Sequence, residues 1–398
     1  SVIVREVDAS QAVPAIANPP AAIAGVFRWG PTNEPILISS ENQLVNRFGA
    51  PNNNNYETFF TAADFLSYSN ALYVVRADDG SVAADSTTIV RDGNNDIIVE
   101  SSTFGAFEAK YPGDLGNALE VTWVSSDGYA NDWREVAEIP QNKVSNSAIA
   151  QTISFNSSAI SFEVGNTQQL TALTAGDVLV VGNESIGYQE LKVATFTETA
   201  GSVTEGTGNS AVTYVAAYQY DITLSNKYTL AETSLTKLSL TRKWQHGSSF
   251  ARKPDANHVH IAVIDGTGAI SGTPGFMLEK FENISTSPSA VSPQGLTNYY
   301  GTVIENFSEW VKVANTDVIG TAAVALSKYE TMTSGTDATT ETTATLAHVG
   351  FALDTLKSSN EIDISFILQG KGDDQGARAN YIVSNLCETR KDCVAFLS

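Results

Sequence analysis

The sequence predicts an α/β core of mixed α/β and α+β character, interrupted by an inserted all-β domain, and therefore a multi-domain chain. Three observations carry that prediction. Before about residue 130 and again after about 247, nearly continuous apolar strands alternate with segments of helical periodicity, the pattern of a sheet covered on both faces. Between about Asn131 and His246 the composition shifts to Thr, Ser, Val and Gly in short alternating runs, the pattern of a small sandwich or barrel. The helix-and-strand alternation then resumes, which makes the middle segment an insertion. A length of 398 residues exceeds the usual domain of roughly 100–200 residues, so several units share the chain.

Residues 1–20 open with an alternating strand, Val2, Ile3, Val4, Arg5, Glu6, Val7, followed by Pro14, Pro19 and Pro20. Prolines cannot donate to a ladder and favour an extended path, so the segment reads as a tethered arm, with a frayed terminus as the plain alternative. In Ser40-Glu41-Asn42-Gln43 the serine is placed to cap a helix whose Leu44, Val45 and Phe48 face one way, and Gly49 and Pro51 end it. A Tyr56–Tyr68 helix with Phe59, Ala63 and Leu66 at helical spacing leads to the apolar strand Leu72–Ala77. After short strands such as Asp96–Glu100, the turn Tyr111-Pro112-Gly113-Asp114-Leu115-Gly116-Asn117 feeds an alternating strand, Ala118–Val124.

Within the insertion, Gly176–Gly182 and Leu191–Phe196 read as short strands. Beyond it, His258–Asp265 and Pro274–Phe281 read as a hairpin around Gly266-Thr267-Gly268. Tyr300, Val303, Ile304, Phe307, Trp310 and Val311 recur at helical spacing and predict one broad apolar stripe. A Thr-rich loop spans about Thr331–Thr345. There follow a helix near Phe351–Leu356, the strand Ile362–Leu368, a helix from Asp374 to Thr389 and a buried strand, Cys393–Leu397.

Charge and motif content exclude most chemistry. Lys plus Arg total 23 against 44 Asp plus Glu, a net charge of −21, which opposes direct binding to a nucleic-acid backbone. No run of 18 apolar residues and no signal-peptide pattern occurs, predicting a soluble chain without membrane insertion. Two cysteines, Cys387 and Cys393, form no disulfide framework and read as structural thiols of a reducing compartment. His258 and His260 share a strand face but lack the further ligands of a metal site. Lys371-Gly372-Asp373-Asp374 reads as a helix start, because paired aspartates repel a phosphate. Gly266-Thr267-Gly268 lacks the following helix of a dinucleotide fingerprint. No nucleophile elbow, phosphate loop or zinc-protease motif is present. Neither a cofactor nor a catalytic residue is expected.

Taken in order, the run Ala21–Pro31, the strand Pro35–Ser40, the helix ending at Gly49, the Tyr56–Tyr68 helix, the strand Leu72–Ala77 and the Tyr-Pro-Gly-Asp turn resemble the contractile tail sheath proteins of bacteriophages, nearest to the T-even type. The resemblance covers the arm, the core before the insertion and residues from about 254 to 398, but not the insertion. It implies a structural, non-enzymatic subunit polymerising in hexameric rings as a helical sleeve, which contracts to drive the tail tube through the host envelope. Val2–Val7 would be a strand donated to a neighbour, with Pro14, Pro19 and Pro20 as the arm's hinge. The implied partners are other copies of the chain, the tail tube protein, and baseplate and tail terminator proteins. The implied location is the virion, after assembly in the host cytoplasm. The expected organisation is an arm at 1–20, core at 21–130, an outward β domain at 131–246 and further core at 247–398. In the family a tube-contacting C-terminal domain follows this point, and the chain is expected to be a fragment lacking it. Other readings are the sheath of a bacteriocin or secretion particle, a surface adhesin or carbohydrate-binding module, and an α/β hydrolase with a β insertion.

Overall fold

Ala21–Gly25 (β1) contains no polar side chain, and all five of its residues are buried. The computed structural model describes residues 19–398 except 78–79, 87–89, 92–96, 99–105, 137–143, 147–150, 157–172, 174, 185–186, 206–207, 209–211, 227–237, 314–326, 338 and 373–374. With Ile36–Ile38 (β2) and Leu72–Arg76 (β3), β1 belongs to a five-stranded sheet. It pairs in parallel with β3 on one side and with the Phe366–Gln369 strand on the other. The sheet edges are β2, antiparallel to β3, and Val394–Phe396, parallel to Phe366–Gln369.

Side chains of β1 alternate between two layers, as a strand requires. Ala21 and Ile23 pack with Leu44 and Phe48 of the Glu41–Phe48 helix (α1) and Phe59, Ala62 and Leu66 of the Tyr56–Leu66 helix (α2). Ala22 and Ala24 pack with Val349 and Leu353 of the Leu346–Asp354 helix and with Ile382 and Leu386 of the last helical run. Both faces are thus covered, which explains why the central strands are apolar throughout. Capping of α1 follows the sequence: Ser40 Oγ accepts from the Gln43 amide at 3.3 Å, while Gln43 Oε1 accepts from the Ser39 amide at 2.8 Å.

A second, seven-stranded sheet interleaves chain from both sides of the insertion, in the order Phe276–Ser285, His258–Asp265, Leu119–Ser125, Ser327–Thr333, Asp85–Ser86, Phe107–Ala109, Val311–Val313. Its core gathers Trp123, Phe107, Val121, Ile261, Tyr300 and Ile304. The third sheet, also of seven strands, is built wholly from residues between Ala130 and Lys243, and its neighbours pair antiparallel.

Several local expectations change. The insertion is dominated by one strand of 19 residues, Gly187–Glu205. It pairs with Val178–Asn183 through its first part and with Val212–Leu224 through its second. Ser and Thr punctuate that strand without ending it, because flanking strands supply ladder partners. The helix from Tyr300 stops at Phe307, which is 72% exposed, while Trp310 and Val311 leave for the next strand. The apparent stripe therefore joins a helix to a strand. The Thr-rich segment begins inside Ser327–Thr333, a strand with a central place in the second sheet. The turn before Leu119 closes as a short 3₁₀ helix over Asp114–Ala118. Finally, the expected buried strand near the end is, among the described residues, an edge strand: Val394 and Phe396 are 60% and 55% exposed.

Candidate assembly surfaces

In open α/β sheets, ligands sit beyond the carboxyl ends of neighbouring parallel strands where the strand order diverges. That position lies here between the ends of β1 and of Phe366–Gln369, and the chain fills it with its own groups. Thr58 of α2 occupies the approach so closely that a β-carbon at Gly25 or Gly370 would lie 2.7 or 2.6 Å from its side chain. The carboxylate of Glu341, itself 2% exposed, accepts from the Glu57 and Thr58 amides at 3.0 and 2.9 Å. A carboxylate thus takes the place where a helix N-terminus would hold a phosphate. Arg378 donates to the backbone carbonyls of Glu341, Ala344 and Lys371. Lys371 pairs with Glu57 at 2.6 Å, which lowers the carboxyl pKa and raises that of the ammonium. The remaining void is about 10 Å³, room for one water.

The Tyr111-Pro112-Gly113-Asp114 turn joins the first two sheets. Buried Arg76, the last residue of β3, donates to Gly30 O at 3.0 Å and to Pro112 O at 2.7 Å. Tyr111 meets Trp29 edge-on with centroids 5.4 Å apart, and Trp29 stacks on Trp310 at 5.3 Å. Gly113 has φ +130°, and a β-carbon there would lie 2.9 Å from Asp337 Oδ1, so this turn requires glycine.

A second joint links the inserted sheet to the core. Arg242 and Asp177 form an ion pair with both side chains fully buried, at 3.1 Å, and Arg242 also donates to Gly128 O at 2.6 Å. Trp244 Nε1 donates to Thr122 Oγ1 at 3.1 Å. Phe250 stacks on His260, with centroids 4.5 Å apart. His260 Nδ1 accepts from the Asn283 amide at 2.9 Å, and Nε2 lies 2.6 Å from Arg252 O. Both ring nitrogens are engaged, which fixes a neutral Nε2–H tautomer; burial lowers the pKa. His246, edge-on to Trp244, is held down to about 4 by burial and by Lys192.

Of the residues singled out for assembly, Val2, Ile3, Val4, Arg5, Glu6, Val7 and Pro14 lie outside the described residues. Pro19 is exposed and Pro20 half-buried. The Pro20 carbonyl accepts from the Ser365 amide at 2.8 Å, so the chain is tied to the first sheet from that residue on. Asp373 and Asp374 also lie outside the described residues. Gly266-Thr267-Gly268 is the expected hairpin turn, closed by Asp265, whose carboxylate accepts from the Gly268, Ile270 and Ser271 amides. Among the described residues, no group of three His, Cys, Asp or Glu is placed to hold a metal, and no helix is long and apolar enough to cross a membrane.

No described strand pairs with the outer side of Val394–Phe396. Beside that edge, Tyr56 and Phe60 of α2 and the exposed Phe396 and Leu397 line a groove of about 480 Å³. Edges of this kind invite strand addition and are usually covered. The sequence reading missed Glu341 and the Arg242–Asp177 pair. Glu341 lies 284 positions from its amide partner, and its segment reads as a low-complexity Thr run. No local pattern marks such a residue.

The crevice of this core is filled by its own carboxylate, and an exposed sheet edge lies beside a groove lined by aromatic and polar side chains. Residues 21–77, which run from β1 through β3, match the family described as "Tail sheath protein Gp18 domain III N-terminal region". The chain is 25% identical over 303 residues to the tail sheath protein of Salmonella phage ViI, covering 73% of this chain and 45% of that protein. It is 39% identical over 107 residues to that of Enterobacteria phage T4, covering 27% of this chain and 15% of the relative. Against Vibrio phage KVP40 it is 31% identical over 147 residues, covering 34% and 21%. The chain is thus similar to contractile phage tail sheath proteins, through its residues 21–77 and through these three relatives. Each match covers less than half of the relative's length. Weak backbone likenesses join sheath tail proteins of Listeria innocua (TM-score 0.42, 10% identity, 95% of this chain and 46% of that one) and Desulfitobacterium hafniense (TM-score 0.37, 9% identity, 100% and 56%).

Proposed function

We propose that this chain is the body of a sheath subunit that polymerises helically around a tail tube and contracts to drive the tube through the host envelope. The observation that carries the reading is the sequence match of its buried core, residues 21–77, to the sheath family. Val2–Val7 acts as a strand added to a neighbour's sheet, with Pro14, Pro19 and Pro20 as the hinge, and main-chain pairing keeps subunits linked while their bodies turn. The open edge at Val394–Phe396 supports linkage of this kind, since it leaves main chain and apolar side chains at the surface. Residues 131–246 project outward as decoration. The partners are other copies in hexameric rings, the tail tube, and baseplate and tail terminator proteins, within the virion. The extended sheath is a trapped packing, and contraction releases its bodies into a more buried one.

Antibodies raised against the 398-residue chain should decorate the striated sleeve of intact virions along the whole tail in negative-stain images. Label confined to fibres, capsid or baseplate would overturn the reading. Removing residues 1–10 should leave a folded chain that no longer joins a growing sheath; normal incorporation would remove the arm from the mechanism.

A further inference from the structure

We propose that Cys387 and Cys393 form a reversible redox staple, a modification site that ties the open edge strand to the end of the last helical run. Their Sγ atoms lie 4.0 Å apart, with Cys393 donating toward Cys387, and both side chains are half-buried rather than sealed. A disulfide needs an approach of about 2 Å more, within reach of a small side-chain rotation. The chain between them is held in the conformation that keeps them close. Lys391 takes a left-handed conformation, φ +63°, and its amide donates to Cys387 O at 2.9 Å, closing the helix. Arg390, whose side chain is fully buried, donates to Leu356 O at 2.7 Å and Ile362 O at 2.8 Å and pairs with Asp392. The Val394 amide then donates to Ser365 O at 2.9 Å, seating the strand. The pair is therefore positioned by contacts that do not involve sulfur.

Burial, with Cys387 beside it, pushes the Cys393 thiol up to about 11. The Cys393 thiol donates toward Cys387, which makes Cys387 the sulfur that attacks first and Cys393 the resolving one. With a low-molecular-weight disulfide such as oxidised glutathione as oxidant, the Cys387 thiolate attacks one of its sulfurs, forming a mixed disulfide and releasing one glutathione thiolate. Cys393 then gives up its proton and attacks the Cys387 sulfur, forming the Cys387–Cys393 bond and expelling the second glutathione. Two electrons pass from the protein thiols to the oxidant. The product fixes the Val394–Phe396 edge to the helix. Reduced thiols suit the host cytoplasm, and the staple would close only in an oxidising medium. The chemistry stands apart from the sheath reading and does not depend on it.

The test treats the native 398-residue chain with oxidised glutathione and reads intact mass, non-reduced peptide maps and amide exchange. The expected result is loss of two hydrogens, an intrachain Cys387–Cys393 peptide link, slower exchange at Val394–Phe396, and reversal by dithiothreitol. Cys393→Ser should instead retain glutathione on Cys387, because the resolving sulfur is gone. Stable glutathione on both cysteines, dimers linked between chains, or oxidation seen only after denaturation would each overturn the proposal.

Discussion

Glu341 shows how one side chain decides what a fold can bind. Its two carboxylate oxygens satisfy the first amides of α2, and Asn55 at the N-cap makes no side-chain cap of its own. Glu341→Ala should cost about 1–3 kcal/mol, the penalty for leaving buried amides without an acceptor. Glu341→Gln should cost less, since one oxygen remains. Chemical denaturation followed by tryptophan fluorescence measures both, and equal losses would show that the carboxylate merely fills space. Gly113 makes the complementary point. Gly113→Ala forces a β-carbon against Asp337 and the Arg28 carbonyl at φ +130°, and should destabilise by more than about 1 kcal/mol, read in the same assay.

At the scale of elements, the joint between the inserted sheet and the core rests on two histidines held neutral. Each folded pKa lies below the ordinary value of 6.5, His246 at about 4. As pH falls from 6.5 towards 4 the unfolded chain binds more protons than the folded one, so stability drops over that window. For His246 the loss should reach on the order of 3 kcal/mol by pH 4, and His260 adds to it in the same direction. His260 is faced by Arg252, Lys280 and Glu282, the two cations opposing its protonation and the carboxylate favouring it. Melting temperature against pH should show the decline, and His246→Gln with His260→Gln should flatten it. An unchanged slope in the double variant would place the acid sensitivity elsewhere. The Arg242–Asp177 pair lies within the inserted sheet and has no solvent exposure, so it adds little net stability there; the bond from Arg242 to Gly128 O is what reaches the core.

For the whole molecule, the chain before the insertion and the chain after it interleave in the second sheet, so the core cannot be completed until both are present. Replacing residues 131–246 by a short linker should leave that core folded, because no strand of the third sheet pairs into the other two. Analytical ultracentrifugation and circular dichroism check this, and aggregation of the shortened chain would show that the insertion is structurally required. Much of the first sheet was legible in advance: the strand Leu72–Arg76 and the helices Glu41–Phe48 and Tyr56–Leu66 follow from apolar periodicity and capping residues, whereas Ala21–Gly25 read only as an apolar run. Periodicity could not distinguish a helix running on through Trp310 from a helix that ends at Phe307 and turns into a strand. Nor could it reveal that Val394–Phe396 lies open at an edge. The sequence by itself determined most of the core's elements and the resemblance to sheath proteins, because local patterns of apolar spacing and turn chemistry are written along the chain. Only the tertiary structure decided that Glu341 closes the crevice, that Arg242 meets Asp177 and that Cys387 approaches Cys393. Those meetings depend on how sheets and loops converge in space, which short-range periodicity does not encode.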